Sequence, residues 1–261
     1  MLKVTATLMV VLTAFCAWGK ADVLIVADEF PAMQVLANRL KADDGKASQI
    51  VDQAHMPQNL APFEAVVVYI HKELAEPAER AFITYAEGGG RLVLLHHSIS
   101  SGKRQNRYWF PFLGVKLPAG DVDRGGYKWT EGVTVQWVNL AGNQFIMTNR
   151  LVYPEQISYS SSDQSDRRLL QGFTLRETEV YLNHVLDGEH HLLMGLKYTD
   201  AETGKTWMQQ TAGWMRPAGK GWVIYFMPGH TLHEFENPCY SRILLNAINA
   251  ELPQIQPSAS K

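Results

Sequence analysis

Hydrophobic and polar positions fall into three regimes along the chain. From Asp22 to Leu95, apolar runs of strand length alternate with segments of helical spacing. Asp22-Val23-Leu24-Ile25-Val26-Ala27, Glu64-Ala65-Val66-Val67-Val68-Tyr69-Ile70 and Arg91-Leu92-Val93-Leu94-Leu95 are nearly continuous in apolar residues, as suits central parallel strands covered on both faces. Between them, Pro31 opens a helix with Met33, Leu36, Ala37 and Leu40 on one side, closed by Gly45. Pro77 starts a second helix through Phe82 and Tyr85, stopped by Gly88-Gly89-Gly90. Proline inside the start and glycine past the end are the expected punctuation. The alternation predicts an α/β fold with a mostly parallel sheet.

The middle of the chain loses this rhythm. From about Gly114 to Gln156, turn residues and scattered aromatics break any helical period, and only Thr134-Val135-Gln136-Trp137-Val138 alternates as a half-buried strand would. This segment is expected to be an irregular, β-rich elaboration of one domain. The Ser-rich stretch Ser158 to Gln164 is expected to be a surface loop. Strands return over His191–Tyr198, Lys205–Met215 and Trp222–Met227, the last entered through the turn Ala218-Gly219-Lys220-Gly221 and leading into Pro228-Gly229-His230. Asn237 and Pro238 then begin a closing helix with Tyr240, Ile243, Leu244, Ala247 and Ile248 on its apolar face.

The ends and the composition set the class. Met1-Leu2-Lys3 followed by the apolar run Val4–Trp18 and the small residues Gly19 and Ala21 has the layout of a secretory signal peptide over residues 1–21, too short to span a bilayer comfortably. The reading is a single domain over 22–252, a flexible Pro- and Ser-containing tail over 253–261, and a periplasmic or secreted location. Cleavage after Ala21 removes Cys16 and leaves Cys239 alone, so stability must come from the core rather than a disulfide. With 46% apolar and 19% charged residues the chain is globular. Its 24 Lys and Arg against 26 Asp and Glu exclude a strongly basic phosphate-binding surface, so nucleic acid is not an expected partner. No further stretch is apolar and long enough to span a membrane.

Ligands of open α/β sheets bind beyond the carboxyl ends of the strands. Three polar groups follow such ends here: Asp28-Glu29, His96-His97 and His230, with His233 shortly after. Imidazole changes charge near neutral pH and binds transition metals, so these histidines are candidate acids, bases or ligands. Glu179 and Tyr181 lie two apart on one side of an extended segment. No His-Glu-x-x-His, Gly-x-Ser-x-Gly or Gly-x-Gly-x-x-Gly spacing is present, so no metal motif, serine nucleophile or dinucleotide cofactor is indicated. Cys239 reads as a buried structural thiol. The aromatics Tyr108, Trp109, Tyr127, Trp129 and Trp137 suit either sugar stacking or core filling.

At these same residues the chain resembles the trehalose-utilisation, or ThuA-like, family. The likeness is carried by Gly88-Gly89-Gly90-Arg91-Leu92-Val93-Leu94-Leu95-His96-His97-Ser98, by Glu179-Val180-Tyr181, and by the strand from Gly219-Lys220-Gly221 into Pro228-Gly229-His230 with the helix from Asn237. The resemblance implies a flavodoxin-like, doubly wound, mostly parallel sheet with helices on both faces, related to class I glutamine amidotransferases. It also implies a role in carbohydrate catabolism on sugars or 3-keto glycosides. His96-His97 would stand where amidotransferases place a cysteine, so glutaminase chemistry is not expected. Asn143-Gln144 replaces a His-Pro frequent in the family, and Asn249-Ala250 replaces a terminal Trp-Ala. Three readings follow. In the first, an exported enzyme uses His96, His97, Glu179 and His230 as catalytic residues, with Tyr181, Asp28, Glu29 and His233 binding a small carbohydrate and no cofactor. The others are a non-catalytic carbohydrate-binding protein and a metal-dependent hydrolase.

Overall fold

The computed structural model describes residues 21–160 and 167–253. The signal segment expected over 1–21 and the tail expected over 253–261 lie almost wholly outside the described residues, as does most of the expected Ser-rich loop. The first third contains β1 (Val23–Ala27), α1 (Phe30–Asp44), β2 (Ser48–Val51), β3 (Ala65–Tyr69), α2 (Glu76–Glu87) and β4 (Arg91–Leu95). A 3-10 turn at His96–Ile99 leads through a second at Ser101–Gln105 to α3 (Trp109–Leu113) and β5 (Val115–Lys116). Next come β6 (Lys128–Asn139), α4 (Phe145–Thr148), β7 (Glu155–Tyr159), β8 (Arg168–Leu182) and β9 (Val185–Leu186). The chain closes with β10 (His191–Thr199), β11 (Thr206–Ala218), β12 (Gly221–Phe226), α5 (Leu232–Glu236) and α6 (Pro238–Asn249).

Among the described residues, ten strands form one mixed sheet in the order β2-β1-β3-β4-β12-β11-β10-β6-β8-β7. The first five in that order are mutually parallel. Every later pairing is antiparallel. β1, β3 and β12 are buried at every position, the consequence of apolar runs covered on both faces. Helix α1 packs with α5 and α6, while α2 packs on β4, β12 and α3. The closing helix begins as its sequence predicts: Asn237 Oδ1 accepts from the backbone amides of Cys239 and Tyr240 at 3.0 and 3.1 Å.

Two differences from the sequence expectation concern the sheet. Only half of it is parallel: β6 from the segment expected to be an irregular elaboration, β7 overlapping its end, and β8, β10 and β11 beyond it all join the same sheet by antiparallel pairing. Ser158 and Tyr159, expected in a loop, end β7. β2 and β8 carry no continuous apolar run. β2 is half-buried throughout, and β8 mixes exposed and buried positions. Such strands are specified by the partners they pair with more than by local pattern.

The two halves meet in space at one edge. In a flat sheet, four strand spacings of about 4.8 Å would put β8 roughly 19 Å from β12. Yet the Tyr181 amide donates to Met227 Sδ at 3.4 Å, just past the end of β12. The sheet therefore curls so that the end of β8 returns over the carboxyl edge of the parallel half.

Candidate functional site

His96 and His97 leave the end of β4 inside the first 3-10 turn. That turn is held by Ser98 Oγ donating to the Leu95 carbonyl at 2.9 Å and by the Trp109 indole donating to the Ser98 carbonyl at 2.7 Å. His96 has φ 44°, in the left-handed region that a β-carbon disfavours. Such a backbone costs about 1–3 kcal/mol and persists where the surroundings over-determine it. Here the surroundings are specific: His96 Nδ1 donates to the Met227 carbonyl at 2.6 Å, and the Tyr225 hydroxyl donates to the His96 carbonyl at 3.1 Å.

His230 stands beyond the end of β12 on a loop pinned from three directions. The amides of Gly229, His230 and Thr231 donate to the buried Glu234 carboxylate at 2.7, 3.0 and 3.1 Å. Thr231 and Glu234 form a capping box at the start of α5. The Tyr69 hydroxyl donates to the Gly229 carbonyl at 2.7 Å, and the Tyr240 hydroxyl to that of Pro228 at 2.5 Å. Gly229 has φ 128°, and an added β-carbon would lie 3.1 Å from Phe235 and 3.4 Å from His96 Cβ. Glycine lets this loop close down on the histidine beneath it.

Glu179 from β8 lies at the centre of the cluster. Its Oε2 is 2.8 Å from His96 Nε2, 3.4 Å from His97 Nε2 and 3.4 Å from His230 Nδ1. The Tyr181 hydroxyl donates to the same oxygen at 3.0 Å, and its ring stacks on His96 with centroids 5.2 Å apart. The side chain of His96 is fully buried and that of Glu179 nearly so, whereas those of His97 and His230 are 16% and 25% exposed. The cluster therefore has a dry floor and two open imidazoles.

The electrostatics follow from that placement. Burial pushes the Glu179 carboxyl up, but hydrogen bonds from His230 and His96 outweigh it and hold the group well below the usual carboxylate range. The Glu179 contact raises His230 above the ordinary imidazole value despite partial burial. Burial, reinforced by His96 and His71, lowers His97 to about 2, so its ring is neutral. Burial and the neighbouring carboxylate lift Tyr181 far above the normal phenol range, which keeps its proton on.

With its Nδ1 donating to the Met227 carbonyl, His96 has only Nε2 left to face the cluster. Nε2 lies 2.8 Å from a carboxylate oxygen, a contact that a proton or a cation between the two atoms satisfies. His96, His97, Glu179 and His230 each offer one ligand atom, and all four atoms lie within 4.8 Å of one another. Three imidazoles and a carboxylate suit zinc and other divalent transition ions. The carbonyl that holds the far nitrogen of His96 is the outer support that ligating histidines use. The donor set fits a metal.

The remaining candidates sit around this centre or away from it. Asp28 holds His71 rather than the cluster: the His71 amide and Nδ1 donate to its carboxylate at 2.9–3.0 Å. Glu29 Oε2 is 3.3 Å from His71 Nε2, and the His71 ring lies 4.1 Å from that of His97 between centroids. Asp28 and Glu29 thus reach the site through His71. His233 lies outside it, its side chain 86% exposed and paired with Glu236 on α5. Helical spacing turned it to solvent. Trp109 and Trp137 are core residues, and Cys239 is a buried free thiol pushed up to about 11 by burial.

Sequence reasoning passed over His71, Lys103 and Glu131, and gave Glu234, four residues after His230, no role. His71 follows the end of β3 and satisfies the same positional rule that singled out His96 and His230. Thr231-Leu232-His233-Glu234 is a legible capping box. Lys103, fully buried, donates to the carbonyls of Ile70, His71 and Lys72 and so ties down the His71 loop. Burial lowers its amine to about 8. Nothing local in the sequence marks it.

The family model described as trehalose utilisation, ThuA, matches residues 23–249. The chain belongs to the ThuA family. Its fold recurs in a ThuA-like protein from Bacteroides uniformis, with TM-score 0.58 and 16% identity over 87% of this chain and 89% of that one. A ThuA-like protein from Parabacteroides merdae gives TM-score 0.60 and 13% identity over 91% and 93%. A β-galactosidase from Rahnella sp. R3 matches with TM-score 0.52 and 12% identity over 87% of this chain but only 30% of that one. At these identities the likeness concerns fold alone. No curated protein matches. Within the ThuA family match fall all four members of the cluster, together with Tyr181 and His71.

Proposed function

We propose that this ThuA-family chain is an exported enzyme of carbohydrate catabolism that acts on a sugar or 3-keto glycoside at the His96–His97–Glu179–His230 cluster. The reading takes the apolar segment Val4–Trp18 as an export signal, and α1, α6 and α2 as the two helical layers of a doubly wound sheet. The observation that carries it is the convergence of four acid–base side chains, from three separate stretches of chain, on one partly open spot.

His230 is the most open member of the cluster, and its Nδ1 faces Glu179 while its Nε2 faces outward. A carboxylate behind one imidazole nitrogen fixes the tautomer and supports proton transfer at the other. In this role Glu179 stays ionised, Tyr181 keeps its proton and orients the carboxylate, and His230 exchanges a proton with a substrate hydroxyl or with the carbon beside a carbonyl. The buried His96 and the neutral His97 form the floor. A divalent metal held by His96, His97, Glu179 and His230 would polarise a substrate oxygen.

The test is a panel of glycosides and their 3-keto derivatives, assayed with wild type, Glu179→Gln and His230→Ala, alongside metal analysis of the purified protein. Loss of about 10²–10⁴-fold in turnover with retained fold is expected for each variant. Wild-type rates in both would overturn the assignment. A non-catalytic carbohydrate-binding protein is the second reading, favoured by the departures at Asn143-Gln144 and Asn249-Ala250. Saturable sugar binding without product across the panel would establish it instead.

A further inference from the structure

β6 starts at the edge where β8 ends, so its first residues form a rim over the cluster. Trp129 pairs directly opposite Tyr181, and paired residues of antiparallel strands project to the same face. Tyr181 sends its hydroxyl to Glu179 from that face. Tyr127, two residues before Trp129, shares the side, its ring 6.1 Å from that of Tyr181. Trp129 is nonetheless 49% exposed, while Trp109, Trp137 and Trp214 are fully buried.

β6 then breaks register between Thr130 and Val133, with Gly132 at φ 69°. A bulge of this kind re-aims a side chain. The residue re-aimed is Glu131, whose largely exposed carboxylate comes within 3.7 Å of His230 Nε2. An open carboxylate therefore stands beside the most accessible imidazole of the site, and an open indole lies two residues earlier on the same rim, opposite Tyr181.

We propose that Trp129 and Glu131 form a sugar-ring subsite at the mouth of the cluster, with the C–H face of a pyranose on the indole and a ring hydroxyl donating to Glu131. The inference rests on the carbohydrate reading above and adds where and how the ring is held. A pyranose is amphipathic: its axial C–H bonds make an apolar face with slight positive charge, which complements the negative face of an aromatic ring. Its equatorial hydroxyls point outward, where a carboxylate gives a charge-assisted hydrogen bond. The rim offers both partners, and the cluster lies next to them to act on the ring.

Calorimetric titration of the whole chain with glucose, trehalose and a 3-keto glucoside separates the possibilities, using wild type, Trp129→Ala, Trp129→Phe and Glu131→Gln. Stacking predicts about tenfold weaker binding for Trp129→Ala and near-wild-type affinity for Trp129→Phe. Glu131→Gln should fall between them, with unchanged melting temperatures because both side chains are open to water. Sugar binding indifferent to Trp129→Ala would overturn the subsite and leave the carbohydrate reading standing. No binding of any of the three sugars by wild type, with no turnover on the glycoside panel, would overturn both.

Discussion

The parallel and antiparallel halves of the sheet are built on different principles. β1, β3, β4 and β12 are dry on both faces, and their sequences are apolar almost without interruption. β6 and β8 run longer, wetter and irregularly: exposed and buried positions mix, register slips between Thr130 and Val135, and Glu177 takes φ 52°. The site needs both. The parallel half supplies His96, His97, His71 and His230 from loops at its carboxyl edge, where strand geometry alone brings chain ends together. The antiparallel half supplies Glu179, Tyr181, Trp129 and Glu131 by curling over that edge. A dry platform thus holds the imidazoles, and a wetter, bulged arm brings the carboxylates and aromatics to them.

The contrast can be tested by substitution in each half. Leu94→Ala, at a fully buried position of β4, should cost about 2–5 kcal/mol, read as a lower denaturation midpoint with an unchanged slope. A cost below 1 kcal/mol would mean that the parallel half is less tightly packed than its burial implies. A smaller effect is expected at the carboxyl edge of the parallel half. Bonds from His71 overcome the upward push of burial and hold Asp28 at about 2, below its unfolded value. A depressed carboxyl contributes stability that is complete above about pH 4 and lost as the pH falls through 2. Solvent screening limits it to about 1 kcal/mol for this partly exposed group. Melting temperatures from pH 5 to pH 2 should therefore fall less steeply in Asp28→Asn than in wild type; parallel curves would remove Asp28 from the account. The smallest effect belongs to Leu169→Ala on β8, 70% exposed, which should stay within about 0.5 kcal/mol. A larger loss there would show that the outer face of the antiparallel half is covered in solution.

Legibility followed the same division. β1, β3, β4, β12, α1, α2 and α6 stand out in the sequence because uninterrupted apolar runs, helical spacing and proline, glycine or asparagine punctuation all agree. β2 and β8 do not, since half-buried strands read like loops until their partners are known. Among the site residues, His96, His97 and His230 were marked by following strands, and Glu179 with Tyr181 by sharing one side of an extended segment. His71 obeyed the same rule as the first three and was passed over. His233 was marked only by proximity in sequence, and one helical turn was enough to carry it out to solvent.

By itself the sequence determined the parallel platform, its two long flanking helices, the capped closing helix and the places where polar residues leave the strands, because these depend on periodicities of a few residues. The tertiary structure alone decided that Glu179 lies between three imidazoles, that Asp28 acts through His71 and that Trp129 stays open beside Glu131. Those outcomes depend on how far a ten-stranded sheet twists and where its bulges fall, quantities summed over the whole sheet and written in no single stretch of chain.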